Sequence, residues 1–195
     1  MHHADAAFLV PIRLSMSCVN IILDGATVLD RSEGIGLLSL TDREKTRQIT
    51  IICEKRIAEE ISKRISKVNP IGKMLLPEVA AQIIATHQED RYQVVIYNIK
   101  DGQYSTYILN QTSGEVFPIR VSDAILFAIV AGMPIMMNEE LFLRQSVEYT
   151  ESATSFKIPI NAISIKALNE YLDKALAEEN YELAAKLRDE LKKRK

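Results

Sequence analysis

Two hydrophobic periods alternate along this chain, and each marks a run of elements. Residues 8–23 are apolar enough for one or two strands, broken near Arg13 to Ser17, and Asp24 to Glu33 reads as a polar connection. Gly34 to Leu40 and Gln48 to Cys53 are strand-like and flank the polar loop Thr41-Asp42-Arg43-Glu44-Lys45-Thr46, the pattern of a hairpin. The period then changes. Ile57, Ile61 and Ile65 recur at intervals of four, so Glu54 to Val68 is predicted as an amphipathic helix that ends at Asn69-Pro70-Ile71-Gly72. A second helix has Pro77 in its first turn and is expected to turn Val79, Ala80, Ile83 and Ile84 inward.

The β pattern returns at Tyr92 to Ile99 and Gln103 to Leu109, joined by Asp101-Gly102, a strong two-residue hairpin signal. Glu115 to Arg120 continues as a third strand. Ser122 is placed as an N-cap with Asp123 in the first turn, where the helix end is positive. Ala124 to Ala131 is almost wholly apolar, hence a buried helix, with Gly132 as its C-cap and Pro134 as its stop. Ile135 to Met137 is a short strand, and Asn138 caps a final helical turn from Glu139 to Leu143. Residues 144–161 are polar and aperiodic and read as a linker. Strands, hairpins and intervening helices in this order predict an α+β domain with a mixed sheet.

After the linker the helical period dominates. Ile165, Leu168, Leu172 and Leu176 form one stripe, Glu178-Glu179-Asn180-Tyr181 makes a turn, and Leu183, Leu187 and Leu191 form a second stripe flanked by Ala184 and Ala185. Tyr181 is expected to pack over the turn. Two short helices with one apolar face each are too small for an independent core. This C-terminal α-helical hairpin therefore calls for a partner: the rest of the chain, a second copy or another protein. The expected organisation is residues 1–143 as the α+β domain, 144–161 as linker and 162–195 as hairpin.

Composition narrows the class. The chain has 195 residues, 47% of them hydrophobic, which is enough for a real core. No apolar run reaches the ~18 residues of a membrane span, and no secretory leader is recognisable. Cys18 and Cys53 make neither a disulfide framework nor a metal pattern and read as buried thiols in a reducing, cytoplasmic setting. The net charge of −2 argues against a dedicated nucleic-acid binder.

The charge is unevenly spread. Residues 43–73 hold nine basic residues, Arg43, Lys45, Arg47, Lys55, Arg56, Lys63, Arg64, Lys67 and Lys73, against four Glu. The candidate nucleic-acid-binding set is Lys55, Arg56, Lys63, Arg64, Lys67 and Lys73, whose cations could meet phosphates. The same residues also suit a solvated helix face, with Glu59 and Lys63, and Glu60 and Arg64, spaced for ion pairs. His87, Glu89 and Asp90 cluster near a helix end but lack a second histidine for a metal centre. No phosphate-binding glycine loop, nucleophile elbow or zinc spacing occurs.

Two resemblances add to this reading. Tyr181-Glu182-Leu183-Ala184-Ala185-Lys186-Leu187-Arg188-Asp189-Glu190-Leu191 resembles the UVR motif of bacterial excision-repair proteins: an aromatic–acidic pair, then Ala-Ala, then Leu-Arg-Asp. That resemblance implies a protein–protein contact module, with Leu168, Leu172, Tyr181, Ala184, Leu187 and Arg188 as partner-binding residues and self-association as one outcome. Arg120-Val121-Ser122-Asp123-Ala124-Ile125-Leu126-Phe127-Ala128, followed by Gly132-Met133-Pro134-Ile135, resembles the most distinctive stretch of the bifunctional nuclease (BFN) domain family. The resemblance spans roughly residues 18–143.

The second resemblance implies hydrolysis of DNA and RNA, with Asp123, Arg120 and Ser122 as catalytic residues and Mg²⁺ or Mn²⁺ as the cofactor of an active protein. Such chemistry wants carboxylates to hold divalent ions and a basic group for the developing charge. The chain departs from the family elsewhere. Pro70-Ile71-Gly72-Lys73-Met74 stands where the family has Pro-Leu-Thr-His-Asp, Pro118 where it has Asp, and Cys53 and Arg56 where it has Gly and Glu. Two functions therefore compete: a nuclease using Asp123, Arg120 and Lys73, and a catalytically silent scaffold working through its hairpin. The replaced polar residues lean toward the scaffold. Ser122, Asp123 and Arg120 also suit a plain helix start, with Arg120 paired to Asp123.

Overall fold

The computed structural model describes residues 17–28, 34–66, 75–87, 89–150, 163 and 165–193. β1 (Cys18–Val28), β2 (Ile35–Asp42) and β3 (Arg47–Glu54) form an antiparallel meander. α1 (Lys55–Ser66) and α2 (Leu76–Ala85) follow, then β4 (Tyr92–Lys100), β5 (Gln103–Asn110) and β6 (Val116–Pro118). α3 (Val121–Ala131), β7 (Ile135–Asn138), α4 (Glu139–Gln145) and β8 (Val147–Glu148) complete this part, and α5 (Ile165–Ala177) and α6 (Tyr181–Lys193) form the terminal hairpin. Among the described residues, one eight-stranded sheet has the order β6-β5-β4-β7-β1-β2-β3-β8. All its pairs are antiparallel except β4 with β7, so the predicted α+β class with a mixed sheet is the observed one.

Several local expectations hold. The β4–β5 turn places Asp101 at φ 51° and Gly102 at φ 77°, the double positive φ that Asp-Gly suits. Gly132 caps α3 at φ 67°. Asn138 caps α4 by accepting from the Leu141 amide at 2.8 Å. Along β2 and β3, Leu38, Leu40, Ile49 and Ile51 share one face and join Ile61 of α1, Val94, Ile96 and Ile108 of the central strands, and Ile125 of α3 in a single buried core. Gly36 is part of that fit. A Cβ there would stand 2.4 Å from the Ala58 Cβ, so α1 seats on β2 only because residue 36 has no side chain.

Four expectations are corrected. Asp24 to Val28 is not a connection: β1 continues through it, with a register shift between Leu23 and Gly25 that absorbs the polar Asp24. The linker does not start at residue 144, because Gln145 and Ser146 are buried and β8 pairs with the start of β3. α2 does not bury the face expected of it. Val79 and Ile83 are exposed and α2 has no buried residue, because it packs on α3 rather than on the sheet. Ser122 is not the N-cap of α3. The helix begins one residue earlier, Arg120 occupies the cap position, and Ser122 is buried in the first turn.

Candidate nucleic-acid interface at two helix starts

β3 hands over to α1 without a loop. Glu54 is the last residue of the strand and Lys55 the first of the helix, with its amide bonded to the Gly34 carbonyl at 2.8 Å. Arg120 precedes α3 in the same way. Its guanidinium joins the two starts: Nη1 donates to Glu54 Oε1 at 2.8 Å and Nε donates to Asp123 Oδ2 at 2.6 Å. The N-terminal ends of α1 and α3 therefore meet across one arginine. Helix N-termini carry partial positive charge and free amides, the usual requirements for holding an anion. α1 adds Lys55 and Arg56, both exposed, and has no acidic residue in its first turn.

Asp123 and then Glu54 hold the Arg120 guanidinium protonated even more firmly than usual. Arg120 and Glu54 are open to solvent and Asp123 is half-buried, so these pairs add little stability. Their consequence is geometric: one cation and two carboxylates from elements 66 residues apart are gathered at one exposed point. The expected Arg120–Asp123 pairing is present, while Ser122 turns into the protein. Glu54 is the member that sequence reading missed. Nothing in its spacing signals a contact with Arg120, because that contact is purely tertiary.

The basic set divides. Lys55 lies 3.9 Å from Glu59, and Lys63 bonds Glu60 at 2.8 Å rather than Glu59. Arg64 is no phosphate ligand. Its side chain is only 7% exposed, donates to Glu78 at 2.7 and 2.9 Å and to the Glu60 carboxylate at 2.9 Å, and fastens α1 to α2. Glu60, held by Lys63 and then Arg64, stays ionised below the usual carboxylate range. Lys67 and Lys73 lie outside the described residues. Among the described residues no three His, Cys, Asp or Glu side chains converge on a metal-sized site, and His87, Glu89 and Asp90 do not form one. Glu54 and Asp123 match in number the one or two carboxylates that Mg²⁺ takes beside water and substrate phosphate, and both are engaged by the Arg120 guanidinium. Cys53, beside the site, is half-buried, and burial pushes its thiol up to about 11, which keeps it inert.

The terminal hairpin has its own small core of Leu168, Ala175, Ala184 and Leu187, with Ile163, Leu172 and Leu191 against it. Asn180 caps α6 through the Leu183 amide at 3.2 Å. Of the six proposed partner-binding residues, Leu168, Ala184 and Leu187 are consumed in joining the two helices and Leu172 is half-buried. Arg188 is exposed. Tyr181 does not cover the turn but stands 67% exposed, and Leu183 is 39% exposed because Ala184 takes the inward position.

No helix among the described residues is long and apolar enough to cross a membrane. The UvrB/uvrC motif matches residues 162–194, the segment that folds as the hairpin. No curated protein matches the chain. The bifunctional nuclease domain matches residues 38–150, from the middle of β2 to just past β8, and includes Glu54, Arg120 and Asp123. That match covers more than half of the 195 residues, and the chain belongs to the bifunctional nuclease domain family.

Proposed function

We propose that this chain binds nucleic-acid phosphates where α1 and α3 begin and cleaves the phosphodiester slowly, in a metal-dependent reaction. The observation that carries this reading is Arg120, bonded to both Glu54 and Asp123 at the meeting of two helix N-termini. In hydrolysis, water attacks phosphorus, the bond to the leaving oxygen breaks, and that oxygen takes up a proton. Arg120 would neutralise the charge that builds on the phosphoryl oxygens. Glu54 and Asp123 would hold a divalent ion, which when bound supplies charge and an activated water. Lys55 and Arg56 would position the backbone on either side.

The rate is expected to be low because Arg120 must leave two carboxylates to meet a phosphate. The family's His-Asp pair is also replaced by Lys73 and Met74. Purified protein with single-stranded DNA or RNA and Mg²⁺ or Mn²⁺ should show slow cleavage that Asp123→Ala and Arg120→Ala each abolish. Absence of cleavage, or cleavage indifferent to both variants, would overturn the nuclease reading.

A second reading is favoured by the hairpin. Leu176, Tyr181 and Leu183 remain exposed on a unit too small to be stable alone. In that reading the protein acts in the cytoplasm as a scaffold. The hairpin docks on a protein partner or a second copy, and Arg120 is only a brace between helices.

A further inference from the structure

Phe117 lies three residues before Arg120, on β6. It pairs across the sheet with Ile108, a core residue, so it stands on the sheet face that carries α3. It is nonetheless 47% exposed, because β6 is the edge strand and is only three residues long. Three residues of chain hold the two α-carbons within at most ~10 Å, so Phe117 and Arg120 project from neighbouring points of one short segment that a strand of a few nucleotides can span. An exposed ring beside cations that suit phosphates is the combination by which proteins hold unpaired strands: the backbone follows the charge and a base stacks on the ring.

We propose that Phe117 is a base-stacking residue and that it makes the Arg120 site selective for single-stranded nucleic acid. This rests on the phosphate-binding reading of Glu54, Arg120 and Asp123. A duplex keeps its bases stacked on one another and offers no free face to Phe117, so it gains only the backbone contacts. A single strand gains those contacts and the stack. The base contact is indifferent to sequence, since every base has a flat face. The ring acts on binding and on strand selection, and it takes no part in the bond-breaking step.

The chain contains no tryptophan, which gives the test a clean reporter. In Phe117→Trp the sole indole would sit at the proposed stack. Its fluorescence should be quenched on adding oligothymidylate and unchanged on adding the matching duplex. In parallel, binding of fluorescein-labelled oligothymidylate is followed by anisotropy in EDTA, which prevents cleavage. Phe117→Ala should weaken single-strand binding on the order of tenfold and leave duplex binding unchanged, while Phe117→Trp retains it. An oligomer with abasic positions should bind wild type as weakly as Phe117→Ala binds the intact strand.

Equal single-strand affinity of wild type and Phe117→Ala, or an unquenched indole in the bound complex, would overturn the stacking role. Arg120→Ala separates the two readings. If it weakens binding to both strand forms while Phe117→Ala changes nothing, the phosphate site stands and the stacking inference falls. If Arg120→Ala changes nothing, or wild type binds neither form, the phosphate site itself falls.

Discussion

The sheet core and the hairpin core are built from similar residues on different scales. In the sheet domain, side chains from β1 to β5, β7, α1, α3 and α4 close one continuous apolar cluster. In the hairpin, two leucines and two alanines close against each other, and Leu176, Leu183 and Tyr181 are left in solvent. The first core joins residues more than a hundred positions apart, such as Ile21 and Ile135. The second joins neighbours across a three-residue turn. The comparison teaches where each can fail. A defect in the sheet core is felt by the whole domain, whereas the hairpin has little stability to lose and depends on what covers its open side.

The largest effect should come from the sheet. Ile96 is fully buried on a central strand, and Ile96→Ala removes three carbons from a site that cannot collapse around them. About 2–5 kcal/mol of stability should be lost, read as a lower urea midpoint. A loss below ~1 kcal/mol would mean that the core is looser than its packing indicates.

Next comes Leu187→Asp. Leu187 is buried in the hairpin, and a carboxylate there has no counter-charge. Far-UV circular dichroism should lose the helicity of α5 and α6, while the sheet domain keeps its urea midpoint. Truncation after Thr154 should give the same midpoint. If either change shifts it, the two cores are energetically coupled and the comparison above is wrong.

The smallest effect distinguishes buried polar groups within the sheet domain. The Tyr104 hydroxyl is buried without a hydrogen-bond partner, and burial pushes its pKa above the ordinary 10.0. A raised folded-state value means the stability contribution is full below pH 10. It is then lost as the pH rises through the folded value, because the unfolded chain ionises first. Tyr104→Phe leaves nothing unsatisfied, so near neutral pH it should be neutral or slightly stabilising. Its alkaline unfolding should begin at higher pH than in wild type, and coincident alkaline transitions would contradict this account of Tyr104.

The amino-acid sequence by itself determined what depends on neighbours in the chain. The Asp101-Gly102 turn, the Gly132 and Asn138 caps, helix α1 (though not its Ile65, which is exposed) and the α5–α6 hairpin were all legible, because each is settled within a few residues by φ preference, capping or hydrophobic period. So was the α+β class. The tertiary structure alone decided the rest. It inserted β7 between β4 and β1, left Val79 and Ile83 of the expected inner face of α2 exposed, and made Arg64 a clasp between two helices. It also brought Glu54 to Arg120. These outcomes follow from which surfaces compete for burial once the chain is folded, and a long-range ion pair leaves no period or motif along the chain to announce it.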